Sequence, residues 1–327
     1  MADLSTEYMG LSLRNPLIVA SCSLVKTLDG VRKCADAGAG AVVLKSLFEE
    51  QLQAEVKDQE KHLWLYGHSE AFEYVSKMAM PLGPREYLKL IEDARDAVTI
   101  PVIASLNCIS PRWWVDYAKQ IAAAGADGIE LNISAMPSDP RREGEEIEDL
   151  YLSIVETLRA SIDIPIAVKI GPHFTSVARI AEQLCERGAS ALVLFNRFYQ
   201  IDIDIEKIEL TSGYKFSSPD ELSLPLRWIA LLAGRIDCDF ASSTGVHTGA
   251  DFIKQILAGA NAVQVCSTLY LNGIGQIGRI LDDVKIWMSK HGFGTIGEVR
   301  GKLSRMQSDK PELYERLQYI KLFTGID

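Results

Sequence analysis

Eight short apolar runs, helix-like stretches between them, and two small-residue loops after the last two runs together predict a (β/α)8 TIM barrel. The runs fall at residues 16–21, 41–45, 102–106, 128–132, 166–170, 191–195, 239–242 and 262–265. Each is mainly apolar rather than strictly alternating, the pattern of a parallel strand covered on both faces. Four of the stretches between them end in a glycine flanked by small residues, as in Ala37-Gly38-Ala39, Ala124-Gly125-Ala126, Arg187-Gly188-Ala189 and Ala258-Gly259-Ala260. Glycine stops the helix there, and its small neighbours let helix and strand pack closely. A doubly wound sheet is the alternative, but Ala20-Ser21-Cys22-Ser23 after the first run has no glycine for a dinucleotide turn.

Taken in order, residues 6–15 with Met9-Gly10 as the turn predict a small hairpin plugging the floor of the barrel. Two connections exceed a plain strand-to-helix loop, residues 47–83 after the second strand and 197–224 after the sixth. Insertions of this length at the C-terminal face of a barrel form lids or interfaces. The first carries Trp64, Tyr66, His68, Phe72 and Tyr74, enough aromatic surface to cover a flat ligand or to anchor the excursion to the barrel. The segment beyond Gly292 is expected to supply closing helices, and the 327 residues read as a single domain without a linker.

Composition narrows the function class. A formal net charge of −10 argues against sequence-independent nucleic-acid binding, which needs a basic face. No apolar run approaches the roughly 18–20 residues of a membrane span, and the N-terminus has no signal-peptide pattern, so the expectation is a cytoplasmic protein without a membrane partner. The six cysteines are scattered without a C-x-x-C pair and read as reduced thiols. No pair of histidines has metal-ligand spacing, and His247, in the loop after the seventh strand, reads as an exposed loop residue with a phosphate contact as the alternative.

Polar residues recur at the C-terminal ends of the strands: Lys45-Ser46, Asn107, Asn132-Ile133-Ser134, Lys169 and Asn196. In a barrel they converge on one mouth. Lys169 stands out, because an ammonium inside the strand Ile166-Ala-Val-Lys-Ile170 needs either a fixed acid or a ligand that is, or becomes, negative. The loops Ser243-Thr244-Gly245 and Cys266-Ser267-Thr268 follow the seventh and eighth strands, where barrels cradle phosphate.

As a set, these residues resemble the dihydroorotate dehydrogenase family of flavin-dependent barrels. The match runs in order from Tyr8 to about Asp283 through Ala20-Ser21, Lys45-Ser46, Asn132-Ile133-Ser134, Val168-Lys169, Asn196, Ser217-Ser218-Pro219 before Leu226-Arg227, and the two small-residue loops. The resemblance implies FMN at the barrel mouth, with Ser218, Thr244, Gly245, Cys266, Ser267 and Thr268 at the phosphate end. It also implies Lys169 at the pyrimidine edge of the ring, and Ala20, Ser21, Lys45, Ser46 and Asn132 completing the pocket. Asn132 and Asn196 would contact a small-molecule substrate, and Lys45, Ser134 and Lys169 would serve catalysis. It further implies a role in pyrimidine biosynthesis, a homodimer formed through the long loops, and a soluble acceptor or electron-transfer partner rather than quinone.

The departures are as informative. Where the family has Asn-x-Ser followed by a Cys or Ser base and then Pro-Asn, this chain has Asn132-Ile-Ser-Ala-Met-Pro137, so Ala135 occupies the base position. The substrate-binding stretch after the second strand corresponds to Val75-Ser-Lys-Met-Ala-Met-Pro81 and keeps little of the family pattern. Arg197 stands where the family has a small hydroxyl residue. Three functions are therefore weighed. The first is an FMN oxidoreductase acting on dihydroorotate or a related small acid, with Ser134, Cys108, His68 or water as proton relay. The second is a flavin-binding homologue inert to dihydroorotate, and the third a phosphosugar lyase or aldolase in which Lys169 forms a Schiff base.

Overall fold

The computed structural model describes residues 2–49, 84–108, 114–133, 135, 137–197, 201–212 and 216–314. Thirteen strands occur among them: β1 (Thr6–Tyr8), β2 (Leu11–Leu13), β3 (Leu17–Val19), β4 (Ala41–Val43), β5 (Leu47–Phe48), β6 (Val102–Cys108), β7 (Gly128–Ile133), β8 (Ile166–Ile170), β9 (Ala191–Leu194), β10 (Ile201–Asp204), β11 (Glu209–Ser212), β12 (Asp239–Ser242) and β13 (Ala262–Val265). The eight that fall on the apolar runs form one parallel sheet in the order β4-β3-β13-β12-β9-β8-β7-β6, and β4 pairs with β6 to close it. This is the (β/α)8 barrel expected, with β5 added beside β6.

Strand parity sorts the core into two populations. Leu17, Val19, Val42, Ile166, Val168, Leu192, Leu194, Val263 and Val265 face the surrounding helices. Ile18, Ala41, Val43, Ile103, Ala167, Ala191, Val193, Ala241 and Ala262 face inward. Alanine supplies five of those nine inward positions, which leaves room in the barrel floor for a foreign element. That element is the β1–β2 hairpin, whose Tyr8, Met9 and Leu13 join the inner cluster. Met9 and Gly10 both take positive φ, 58° and 74°, as a two-residue hairpin turn requires. The Met9 N–H donates to Asp239 Oδ2 at 2.8 Å, tying the plug to the start of β12.

The glycines predicted to stop helices do so: Gly38, Gly125, Gly188 and Gly259 all take left-handed φ between 92° and 119°. Helix starts are capped by side chains, as where Thr248 and Asp251 form a reciprocal capping box on Gly249–Ala258. The insertion after β9 forms the antiparallel β10–β11 hairpin, on which Ile201, Ile203, Ile205, Ile208 and Leu210 are exposed. Beyond Gly292 the described residues supply the short helix Ile296–Val299 and two 3-10 turns, Arg305–Gln307 and Pro311–Tyr314, and residues 315–327 lie outside the described residues. Of the insertion after β4, residues 50–83 lie outside the described residues, and with them Trp64, Tyr66, His68, Phe72 and Tyr74.

Close approach at Gly40 links plug and barrel, since a Cβ there would meet the Asn15 carbonyl oxygen at 1.9 Å. Gly144, at the start of helix Gly144–Arg159, has nothing within 4 Å of the same position. Chemical unfolding should therefore show Gly40→Ala losing about 3 kcal/mol or failing to fold, by overpacking against backbone that cannot yield. Gly144→Ala should stay within about 1 kcal/mol of the parent, on the stabilising side.

Candidate active site

The inward parity of the strands continues upward from the floor, and at the next level the inward positions become polar. Glu130 on β7, Lys169 on β8 and Gln264 on β13 all point into the barrel, 1%, 8% and 2% exposed. The Lys169 Nζ donates to Gln264 Oε1 at 3.0 Å and lies 3.8 Å from Glu130 Oε1, while the Gln264 amide donates to Glu130 Oε2. The fixed acid that Lys169 needs is thus Glu130, two residues before Asn132. Sequence reading passed over it, although Gly128-Ile-Glu-Leu-Asn132 buries a carboxylate in an apolar strand as conspicuously as Ile166-Ala-Val-Lys-Ile170 buries an ammonium.

Above this pair lies a cavity of about 200 Å³ lined by Ala20, Ser21, Lys169, Asn196, Arg197, Phe216, Ser217, Ser243, Thr244, Gly245, Val246, Gln264, Cys266 and Ser267. Lys169 and Arg197 bring positive charge, and no carboxylate appears among these described lining residues. Five serine or threonine hydroxyls add donors. A wall of this kind favours an anion, because low-dielectric surroundings strengthen each charge-assisted contact.

The polar residues form three connected groups. On the first side, Ser46 Oγ lies 3.0 Å from Ser21 Oγ and 2.8 Å from Ser105 Oγ, and the Ser46 N–H donates to Ser21 Oγ at 2.8 Å. Tyr87 accepts the Ser105 N–H at 2.8 Å, anchoring this chain of hydroxyls in the core. Burial pushes the Tyr87 phenol up, outweighing its hydrogen bond to Ser105. On the second side, the Asn196 amide donates to Asn132 Oδ1 at 2.9 Å, so the two asparagines expected to share a substrate are in contact. Ser134 lies outside the described residues, whereas Ala135 packs against the hydrophobic core. The Tyr151 hydroxyl donates to the Ile133 carbonyl at 2.8 Å, fixing the end of β7. Burial raises that phenol to about 12.

The third group is the anion end. The Ser217 N–H donates to Ser267 Oγ at 3.0 Å, Ser217 Oγ lies 3.3 Å from His247 Nε2, and the Gly245 N–H donates to Ser217 Oγ at 3.4 Å. His247 is 8% exposed and therefore not the exposed loop histidine expected, because the capping box of the helix that follows draws its backbone inward: its N–H donates to Asp251 Oδ2 at 3.2 Å. Thr244 and Gly245 have φ of 80° and 82°. A Cβ on Gly245 would meet the Leu222 backbone nitrogen at 2.4 Å, which explains glycine there.

Not every expected residue reaches the cavity. Thr268 is fully buried and gives its hydroxyl to the His247 carbonyl at 3.2 Å, so it supports the cradle from behind. Ser218 is exposed and caps the 3-10 turn Pro219–Leu222, and the neighbouring Ser217 lines the wall instead. Lys45 is half-buried, its Nζ 6.0 Å from the Phe48 ring centroid. Arg197 Nε holds Glu221 Oε2 at 2.7 Å, and Phe216 stacks on Tyr270 with centroids 5.3 Å apart.

Comparison with known proteins adds the family. A model described as dihydroorotate dehydrogenase matches residues 3–288. Among curated proteins, the catalytic subunit of dihydroorotate dehydrogenase B (NAD(+)) from Methanocella arvoryzae is 30% identical over 80% of this chain and 85% of its own. The equivalent subunit from Thermoplasma acidophilum is 27% identical over 92% of this chain and 99% of its own. A chloroplastic dihydropyrimidine dehydrogenase (NADP(+)) from Arabidopsis thaliana is 23% identical over 96% of this chain and 80% of its own. The inward Lys169 beneath a hydroxyl-lined mouth and the match over nearly the whole barrel agree: the chain belongs to the dihydroorotate dehydrogenase family, oxidoreductases acting on CH–CH donors.

Proposed function

We propose that this chain is a single-domain, FMN-dependent oxidoreductase that takes hydride from a small acid related to dihydroorotate. The observation that carries the reading is the cavity wall: five hydroxyls and two cations, Lys169 held by Glu130 and Arg197 by Glu221, with no carboxylate among the described lining residues and Lys169 at its base. This donor set fits the cofactor at both ends. Ser217, Ser243 and Ser267 offer hydroxyl groups to a phosphate, Thr244 and Gly245 shape the loop around it, and Lys169 offers a fixed cation to a ring that gains negative charge on reduction. FMN, when bound, supplies the two-electron acceptor.

The chain's own residues account for the remaining tasks. Glu130 and Gln264 orient the Lys169 ammonium, so its charge needs no reorganisation when charge develops beside it. Asn132 and Asn196, locked amide to amide, present their remaining polar atoms to the substrate. Ala135 can neither accept nor relay a proton. Efficient oxidation of dihydroorotate in this family relies on a base at that position, so the favoured substrate here loses its proton to another group or to water. The structure disfavours the lyase reading, because Lys169 is held as an ammonium by Glu130 and Gln264, whereas attack on a carbonyl needs a free, deprotonated amine.

The relatives named as catalytic subunits support a partner protein as electron acceptor, and no described helix is long and apolar enough to cross a membrane. The exposed isoleucines of the β10–β11 hairpin offer a surface for a second copy of the chain. A cytoplasmic location is part of the same proposal.

Three measurements test this reading. The purified protein should show flavin absorption, or gain it on addition of FMN; a preparation that stays colourless would sink the proposal. Lys169→Met should lower the reduction potential of the bound flavin and Glu130→Gln should raise it, each by about 30 mV or more, equivalent to roughly 1.4 kcal/mol for two electrons. Shifts of the same sign in both variants would show that the pair does not act through its charge. In anaerobic stopped flow, Ala135→Cys should accelerate flavin reduction by dihydroorotate by roughly 10²–10⁴-fold over the parent, the usual contribution of a general base. An already fast parent that gains nothing would mean that the proton leaves by another route.

A further inference from the structure

Two of the cysteines read as scattered are neighbours in the fold. Cys22 follows β3 and Cys266 follows β13, strands that pair in parallel with Val19 beside Val265. The two chain segments stay together past the sheet: the Ala20 N–H donates to the Val265 carbonyl at 3.0 Å, and the Ser23 N–H to the Tyr270 hydroxyl at 2.9 Å. Cys22 and Cys266 sit between these two ties, Cys22 within the hydrophobic cluster and Cys266 packed against it. Both are free thiols, Cys22 buried and Cys266 forming part of the cavity wall.

The surroundings set their reactivity. The Cys266 thiol is the largest influence bringing the Cys22 thiol down, against burial and with help from the Leu24 and Val25 N–H groups and the Tyr270 hydroxyl, to about 7. The same contact pushes the Cys266 thiol up, burial adds to the effect, and the positive charges of Lys169 and Lys45 oppose it. The pair therefore shares one proton easily lost and one firmly held, the arrangement of a nucleophilic thiolate beside a proton-bearing resolving thiol.

We propose that Cys22 and Cys266 are a peroxide-oxidisable dithiol in the wall of the active-site cavity, and that closing their disulfide weakens the anion end of the site. A hydroperoxide, small enough to enter through the cavity, is the oxidant. The Cys22 thiolate attacks one peroxide oxygen; the S–O bond forms, the O–O bond breaks, and hydroxide leaves and is protonated to water. The Cys266 sulfur then attacks the Cys22 sulfenic acid; the S–S bond forms, the S–O bond breaks, and the oxygen departs as water with the Cys266 proton. Two thiols are oxidised and one peroxide is reduced to two waters. The consequence follows from chain continuity. Cys266 immediately precedes Ser267, whose hydroxyl accepts the Ser217 N–H, and Ser217 in turn contacts His247 and Gly245. Drawing the Cys266 sulfur onto the Cys22 sulfur moves that network.

The loss of affinity rests on the FMN reading; the disulfide does not. The test treats the reduced full-length protein, without added flavin, with stoichiometric hydrogen peroxide, followed by peptide mapping and thiol counting. The expected product is a Cys22–Cys266 linked peptide that dithiothreitol reverses and Cys22→Ser abolishes. Cys185→Ser serves as matched control, because Cys185 is a free thiol that does not line the cavity. FMN titration should then show oxidised protein binding about tenfold more weakly than reduced, the equivalent of one lost hydrogen bond to a charged group, while peroxide-treated Cys22→Ser keeps its affinity. Absence of the linked peptide, or oxidation stopping at single cysteines, would overturn the dithiol. A disulfide with unchanged FMN affinity would overturn its coupling to the site. If neither redox form binds FMN, the cofactor reading fails while the mapping still decides the chemistry of the pair.

Discussion

The ion pair between Lys169 and Glu130, bridged by Gln264, is the constraint around which the upper barrel is arranged. A charge buried among apolar strands is tolerated only when paired and hydrogen-bonded, so β7, β8 and β13 must hold their registers closely enough to bring three side chains from separate strands together. Parallel pairing does this, placing Asn132 beside Lys169 and Glu130 beside Ala167. A slip of one residue would turn the ammonium out among the helices and an apolar residue into the mouth. The same three strands thus settle both the integrity of the core and the place where a ligand meets positive charge.

Below that layer the barrel solves a different problem. Its inward positions are small, and the N-terminal hairpin fills the space with Tyr8, Met9 and Leu13. The hydroxyl of Tyr8 is carried into the interior, where burial and then the Glu130 and Asp239 charges push it well above its ordinary range. Floor and mouth are therefore electrostatically connected through Glu130, which is felt by Tyr8 beneath and by Lys169 above. A carboxylate in this position costs less than it would alone, because the ammonium and the Gln264 amide both face it.

The mouth divides its work along the sheet. Strands β7 and β9 bring two asparagines into contact, and the loops after β12 and β13 build a hydroxyl-rich end braced by Thr268 and the Asp251 capping box. β3 and β13 carry Cys22 and Cys266 into neighbouring segments of the chain.

The strands, the helix stops, the hairpin plug and the polar strand ends were all legible in the linear sequence, because each depends on local rules: mainly apolar runs, glycine at left-handed φ, and a Met-Gly turn. So was Lys169, since a lone ammonium in an apolar strand is conspicuous wherever it folds. Its partner was not found, because Glu130 lies 39 residues away in sequence and only parity in a closed barrel makes both point inward. The same holds for His247, which its number alone marks as a loop residue but which the capping box draws into the core. It holds again for Cys22 and Cys266, at opposite ends of the chain and adjacent only because β13 closes on β3. Local chemistry determines which element each residue enters; closure of the sheet determines which residues meet, because the first and last strands of a barrel are neighbours in space however far apart they are along the chain.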